Sequence, residues 1–124
     1  MSEVVCDLRG ARILIVEDEP FIALDIAYGV EQVGGTPVGP ASTVAQALRI
    51  LEREQVDGAI VDVDLPDGTI GPVLERLRPD VPVVVHTGVG LPEPLRQAFP
   101  DVEVFGKPTA PEVLAARLVA DPDG

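Results

Sequence analysis

Apolar residues along the chain gather into short blocks, with segments of helical spacing between them. Four mainly apolar runs, Ile13 to Val16, Ala59 to Val61, Val81 to Val85 and Val102 to Phe105, have the length of strands covered on both faces. A weaker run, Thr36 to Val38, is hemmed in by Gly and Pro and suits a sheet edge. Phe21, Leu24, Ile26 and Val30 mark a first helix, and Val44, Ala47, Leu48 and Leu51 a second that Ser42 or Thr43 caps. Val73, Leu74 and Leu77 predict a short third helix. Leu95, Ala98 and Phe99 predict a shorter fourth, and Pro111 opens a fifth through EVLAARLVA.

Strand and helix thus alternate five times. Right-handed crossovers place each helix on a face of a parallel sheet, so the pattern predicts an α/β fold with a doubly wound sheet of order 2-1-3-4-5, the flavodoxin-like (βα)5 arrangement. Ligands of such sheets collect at the carboxyl ends of the strands where the order reverses, here outside strands one and three. The 13 prolines agree with this reading, because Pro20, Pro66, Pro72, Pro82, Pro92, Pro108 and Pro111 fall at expected helix starts or strand ends.

A length of 124 residues with 46% hydrophobic content allows a single core and leaves no room for a second catalytic or DNA-binding domain. The expected division is an N-terminal extension over 1–11, one domain over 12–120 and a tail over 121–124. No apolar run approaches the length of a membrane span or signal segment, which predicts a cytoplasmic protein without membrane insertion. A net charge of −12 disfavours direct contact with nucleic acid or anionic lipid and favours a cation wherever carboxylates converge. The lone Cys6 has no neighbouring ligand and is read as a bystander.

The residues leaving the strands define the predicted rim. Strand one ends in Glu17 and Asp18, strand three in Asp62, strand four in Thr87, and strand five leads to Lys107 and Pro108. Mg²⁺ takes a few carboxylates and keeps positions for phosphate oxygens, so Glu17, Asp18 and Asp62 form a candidate site. Lys107 and Thr87 would hold the remaining oxygens.

ILIVEDEP at 13–20, VDVDLP at 61–66, HTG at 86–88 and GKP at 106–108 together resemble the receiver domain of bacterial two-component response regulators. The resemblance implies that Asp62 is the phospho-acceptor, that Glu17, Asp18, Asp62 and the backbone carbonyl of Asp64 hold Mg²⁺, and that Thr87 is the switch hydroxyl. It also implies that Lys107 pairs with the phosphoryl group across a cis bond to Pro108. Partners would be a sensor histidine kinase or phosphotransfer protein and a downstream protein, the chain being a monomer or a phosphorylation-dependent dimer. It would be a phosphorelay switch with at most slow autodephosphorylation rather than an enzyme. Val104 stands where most receivers carry an aromatic, and strand alternation points Phe105 to the other face. With the Gly- and Pro-rich loop TGVGLPEP, these features resemble a single-domain subgroup with a Thr-Gly motif after strand four. Asp64 overhangs the acceptor in such proteins, with an effect on phosphoryl lifetime open in sign.

Two alternatives stand beside this reading. AIVDVDLPDGT also resembles the first motif of haloacid dehalogenase-like phosphatases, with Asp62 as nucleophile and Asp64 as acid/base, although two βα units precede it here. A degenerate receiver acting only as a protein-binding module is the other. Individually, Glu17, Asp18 and Glu19 would suit a helix N-terminus, Asp67 and Gly68 a turn, and Arg49, Glu52, Arg53 and Glu54 a solvated face. His86 reads as a satisfied strand residue without chemistry.

Overall fold

The computed structural model describes residues 8–118. Cys6, most of the expected extension and the expected tail lie outside them. The chain runs β1 (Arg12–Val16), α1 (Pro20–Gln32), β2 (Thr36–Ala41), α2 (Val44–Arg53), β3 (Gly58–Val61), β4 (Asp64–Leu65), β5 (Gly68–Thr69), α3 (Gly71–Leu77), β6 (Val83–Thr87), α4 (Glu93–Ala98), β7 (Glu103–Gly106) and α5 (Pro111–Leu118). The main sheet has the order β2-β1-β3-β6-β7, all parallel, which is the expected 2-1-3-4-5 once the β4-β5 ribbon is set aside.

Alternation along the central strands sorts the core onto two faces. Leu14, Val16, Val61 and Val85 pack with α2 and α3 residues such as Ala47, Val73 and Leu74. Ile13, Ile15, Ile60 and Val84 pack with Ile26 and Val30 of α1 and Leu114 of α5. Leu14 and Ile15 are fully buried, and each such side chain contributes about 1.5–3 kcal/mol on transfer from water.

Three elements differ from the sequence reading. In α1 the inward face is Ala23, Ile26, Gly29 and Val30, whereas Phe21 and Leu24 are 77% and 62% exposed. Large apolar side chains dominate a hydropathy pattern, but α5 approaches Gly29 so closely that an added Cβ would lie 2.4 Å from Pro111 Cβ, and only small residues fit there. The fourth strand begins at Val83 instead of Val81, because the Val81 N–H is spent on Leu77 O and Pro82 has none to give. It then continues through His86 and Thr87. The edge strand β2 extends to Ala41, with Gly39 at φ 97° where its pairing with β1 shifts register. Thr43, of the two residues expected to cap α2, is the N-cap, its Oγ1 accepting from Gln46 N. Arg49, Glu52, Arg53 and Glu54 are exposed as expected, and Glu54 pairs with Arg12.

Candidate functional site

Strand register builds the site. Val16 lies opposite Val61, so the next residues, Glu17 and Asp62, emerge side by side from the two central strands. The backbone ladder runs past both ends, with Asp62 N donating to Val16 O at 2.8 Å and Glu17 N donating to Ala41 O at 2.9 Å. Thr87 lies opposite Gly106, and Lys107 N donates to Thr87 O at 2.9 Å, which delivers Lys107 to the same rim.

The side chains converge there. Lys107 Nζ donates to Asp62 Oδ2 at 2.9 Å and to Glu17 Oε2 at 3.2 Å, and lies 3.0 Å from Glu17 Oε1. Glu17 Oε2 also accepts from Glu19 N, and Asp62 Oδ1 from Val63 N at 2.7 Å. Oxygens of Glu17, Asp18 and Asp62 lie within 4.8 Å of one another, the one group of three such ligands among the described residues. Glu17 and Asp62 are buried while Asp18 is exposed.

Three carboxylates against one ammonium leave an excess of negative charge in a partly dry pocket. Burial pushes the Glu17 carboxyl above its usual range, and the Asp62 charge adds to this against the hydrogen bonds from Lys107 and Glu19. Burial alone would lower Lys107, but its hydrogen bonds to Asp62 and Glu17 outweigh that and hold it above its ordinary value. Glu17 Oε1 is buried, and among the described residues its one polar neighbour is the Lys107 ammonium at 3.0 Å, an ion-pair contact without hydrogen-bond geometry. An all-oxygen donor set of three carboxylates within 4.8 Å of one another, offset by a single ammonium, fits a hard divalent cation.

Among the other predicted residues, Thr87 is buried at the rim, its Oγ1 accepting from Val89 N at 3.1 Å. Asp64 is exposed and pairs with Thr69 in the β4-β5 ribbon, and its carboxylate is not one of the three that converge. The Lys107-Pro108 bond is cis, as are those before Pro40 and Pro79. Val104 is 40% exposed, and Phe105 packs on the α1-α5 face, as alternation requires. Glu19 has the plain role its position allows, capping α1 through Ile22 N.

Two residues exceed their sequence reading. Asp67, read as a turn residue, accepts from Val44 N at 2.8 Å and Ala45 N at 3.0 Å, fastening the ribbon to the start of α2. Those two N–H bonds hold its carboxyl below the usual range. His86, the one histidine, is buried beside Lys107, and desolvation followed by that charge keeps its pKa low. Among the described residues the ring makes one hydrogen bond, Nε2 accepting from Thr109 N, and Nδ1 has no partner. Spacing gives no hint of either contact, since the partners are 22 or more residues away.

A family profile described as response regulator receiver domain matches residues 13–118. The phyllosphere-induced regulator PhyR of Methylorubrum extorquens is 33% identical over 119 residues, covering 93% of this chain and 40% of that protein. Among solved structures, a CheY-like receiver domain protein from Methanospirillum hungatei aligns with a TM-score of 0.75 at 27% identity, over 87% of this chain and 90% of that one. The anti-anti-sigma factor PhyR from Bartonella quintana aligns with a TM-score of 0.66 at 27% identity, over 86% of this chain and 45% of that one. The chain spans less than half the length of the curated relatives it matches.

Proposed function

The chain belongs to the response regulator receiver family, and from that membership we propose that Asp62 accepts a phosphoryl group and that the protein relays the event by changing shape. The observation that carries this reading is Lys107 Nζ bridging Asp62 at 2.9 Å and Glu17 at 3.0 Å within a group of three carboxylates. Glu17, Asp18, Asp62 and the Asp64 carbonyl would hold Mg²⁺, which when bound offsets the repulsion between carboxylate and phosphate.

The remaining steps belong to the chain. Lys107 holds Asp62 Oδ2, while the Val63 N–H fixes Oδ1, so the carboxylate is oriented before the donor arrives. A carboxylate oxygen attacks phosphorus, and the donor's phosphorus–nitrogen or phosphorus–oxygen bond breaks. The new group carries nearly two negative charges and is held by the Lys107 ammonium. The Thr87 hydroxyl turns from Val89 N to donate to a phosphoryl oxygen, which frees the loop after β6. A shift from mostly off to mostly on needs roughly 5 kcal/mol of differential stabilisation, within reach of a few charge-assisted hydrogen bonds. Val104 offers no ring to move with Thr87, so the change passes through the β6-α4 loop, where Val89 is exposed, and through β7, where Val104 is.

The donor is a sensor histidine kinase or phosphotransfer protein, and the output a protein contact made as a monomer or a phosphorylation-dependent dimer. Residues 12–120 form the receiver unit, and the cytoplasm is its setting. No helix among the described residues is long and apolar enough to cross a membrane. Beryllofluoride with Mg²⁺ tests the assignment. Amide resonances of residues 87–106 shift in the wild type, and Asp62→Asn abolishes the response. Steady phosphomonoester hydrolysis lost in Asp64→Asn would support the phosphatase reading instead. Silence in both assays would leave only a protein-binding module.

A further inference from the structure

The buried polar residues among those described are Glu17, Asp62, Thr87 and His86. The first three belong to the rim already assigned, and His86 has no part in it. An imidazole 4% exposed in a strand of valines is costly unless its nitrogens are used.

Its Nε2 is used on the loop that carries Lys107. Thr109 N donates to His86 Nε2 at 3.3 Å, and Thr109 Oγ1 donates to Gly106 O at 2.5 Å. On the other side of the same turn, Lys107 N donates to Thr87 O at 2.9 Å. Consecutive residues of β6 therefore grip the Lys107-Pro108 turn from both ends, one by its carbonyl and one by its ring. Packing offers little substitute for the second grip, because a cavity of about 110 Å³ borders His86, Lys107, Pro108 and Thr109 beneath Ile22 of α1. Accepting from an N–H also fixes the tautomer: the neutral ring carries its proton on Nδ1, which has no partner among the described residues, so the Thr109 bond is the one compensation for burying the ring.

From this arrangement we infer that His86 is a positioning residue for Lys107, its Nε2 anchoring the turn that aims the ammonium at Asp62 and Glu17. The inference rests on the phospho-acceptor reading of Asp62. A valine or leucine at position 86 would fill the strand equally well but leave Thr109 N–H without an acceptor and the turn free to drift into the cavity. The ammonium would then spend less time at Asp62, and its contribution to phosphoryl transfer would fall, even with the sheet intact.

The full chain tests this by labelling with acetyl phosphate and Mg²⁺, with nitrogen-15 NMR of the imidazole and of the Thr109 amide. The wild type is expected to show a neutral ring protonated on Nδ1 and a protected Thr109 amide. His86→Leu should lose that protection and label Asp62 about five- to tenfold more slowly, the loss typical of one hydrogen bond. His86→Gln, which offers an acceptor oxygen near the Nε2 position, should recover most of the rate. Equal labelling rates in wild type and His86→Leu would overturn the inference while leaving Asp62 as acceptor. No labelling of the wild type would sink both readings. Should His86→Leu fail to fold, a ring protonated on Nε2 in the wild type would still overturn it, and slow labelling by His86→Gln with normal thermal stability would do the same.

Discussion

Glu17 shows why a carboxylate's place matters more than its type. Asp18 is its neighbour and stays exposed, while Glu17 is buried against the Lys107 ammonium and its pKa is raised by desolvation. Cation binding needs the ionised form, and a proton competes for the same oxygens. Mg²⁺ affinity is therefore expected to weaken as pH falls through a window beginning above the ordinary glutamate value of 4.5. Without the ion the sign reverses for stability. A raised folded pKa means the folded state binds the proton more tightly, so acidification through that window stabilises the metal-free protein at this residue. Isothermal titration of Mg²⁺ across pH 4 to 7 checks the first expectation, with Glu17→Gln flattening the dependence. A flat wild-type profile would contradict it.

At the scale of elements, two joints hold the layers in register. Where α1 meets α5, Gly29→Ala gains about 1 kcal/mol of helix propensity but sets a methyl 2.4 Å from the rigid ring of Pro111 and 3.3 Å or less from its backbone. Overpacking costs about 1–3 kcal/mol, so the net change is expected to destabilise, read as a lower urea midpoint at unchanged slope. The other joint is Asp67, which caps α2 from across the ribbon. Its lowered pKa contributes stability that is present above the unfolded value near 3.8 and lost as pH falls through the folded one. Asp67→Ala should lower Tm at pH 7, speed hydrogen exchange at Val44 and Ala45, and remove that part of the acid dependence. Unchanged exchange at those two amides would show the cap to be idle.

Over the whole molecule, charge is the governing quantity. With 21 acidic and 9 basic residues the folded chain repels itself, and the rim concentrates that repulsion. Monovalent salt screens the general field, whereas a coordinated divalent ion acts at the rim alone. Thermal stability is expected to rise more with MgCl₂ than with NaCl at equal ionic strength, approaching about 2.7 kcal/mol at a hundredfold excess over Kd. Asp62→Asn should diminish the difference, and an identical response to both salts would show that no ion is coordinated.

The order of strands and helices, the covered parallel sheet and the placement of Glu17, Asp62, Thr87 and Lys107 at one rim were legible in the sequence. Strand-length apolar runs and prolines at element ends are local signals, and a parallel sheet must send its strand-end residues to one rim. The inward face of α1 was not legible, because the choice of Gly29 over Phe21 is made by α5, some 80 residues later in the chain. Nor were the Asp67 cap and the His86 anchor, since a hydrogen bond between distant segments leaves no periodicity behind. Hydrophobic pattern is a property of neighbours along the chain and dictated the layers. Close approach, desolvation and the pairing of buried polar atoms are properties of neighbours in space, and only the folded structure decided them.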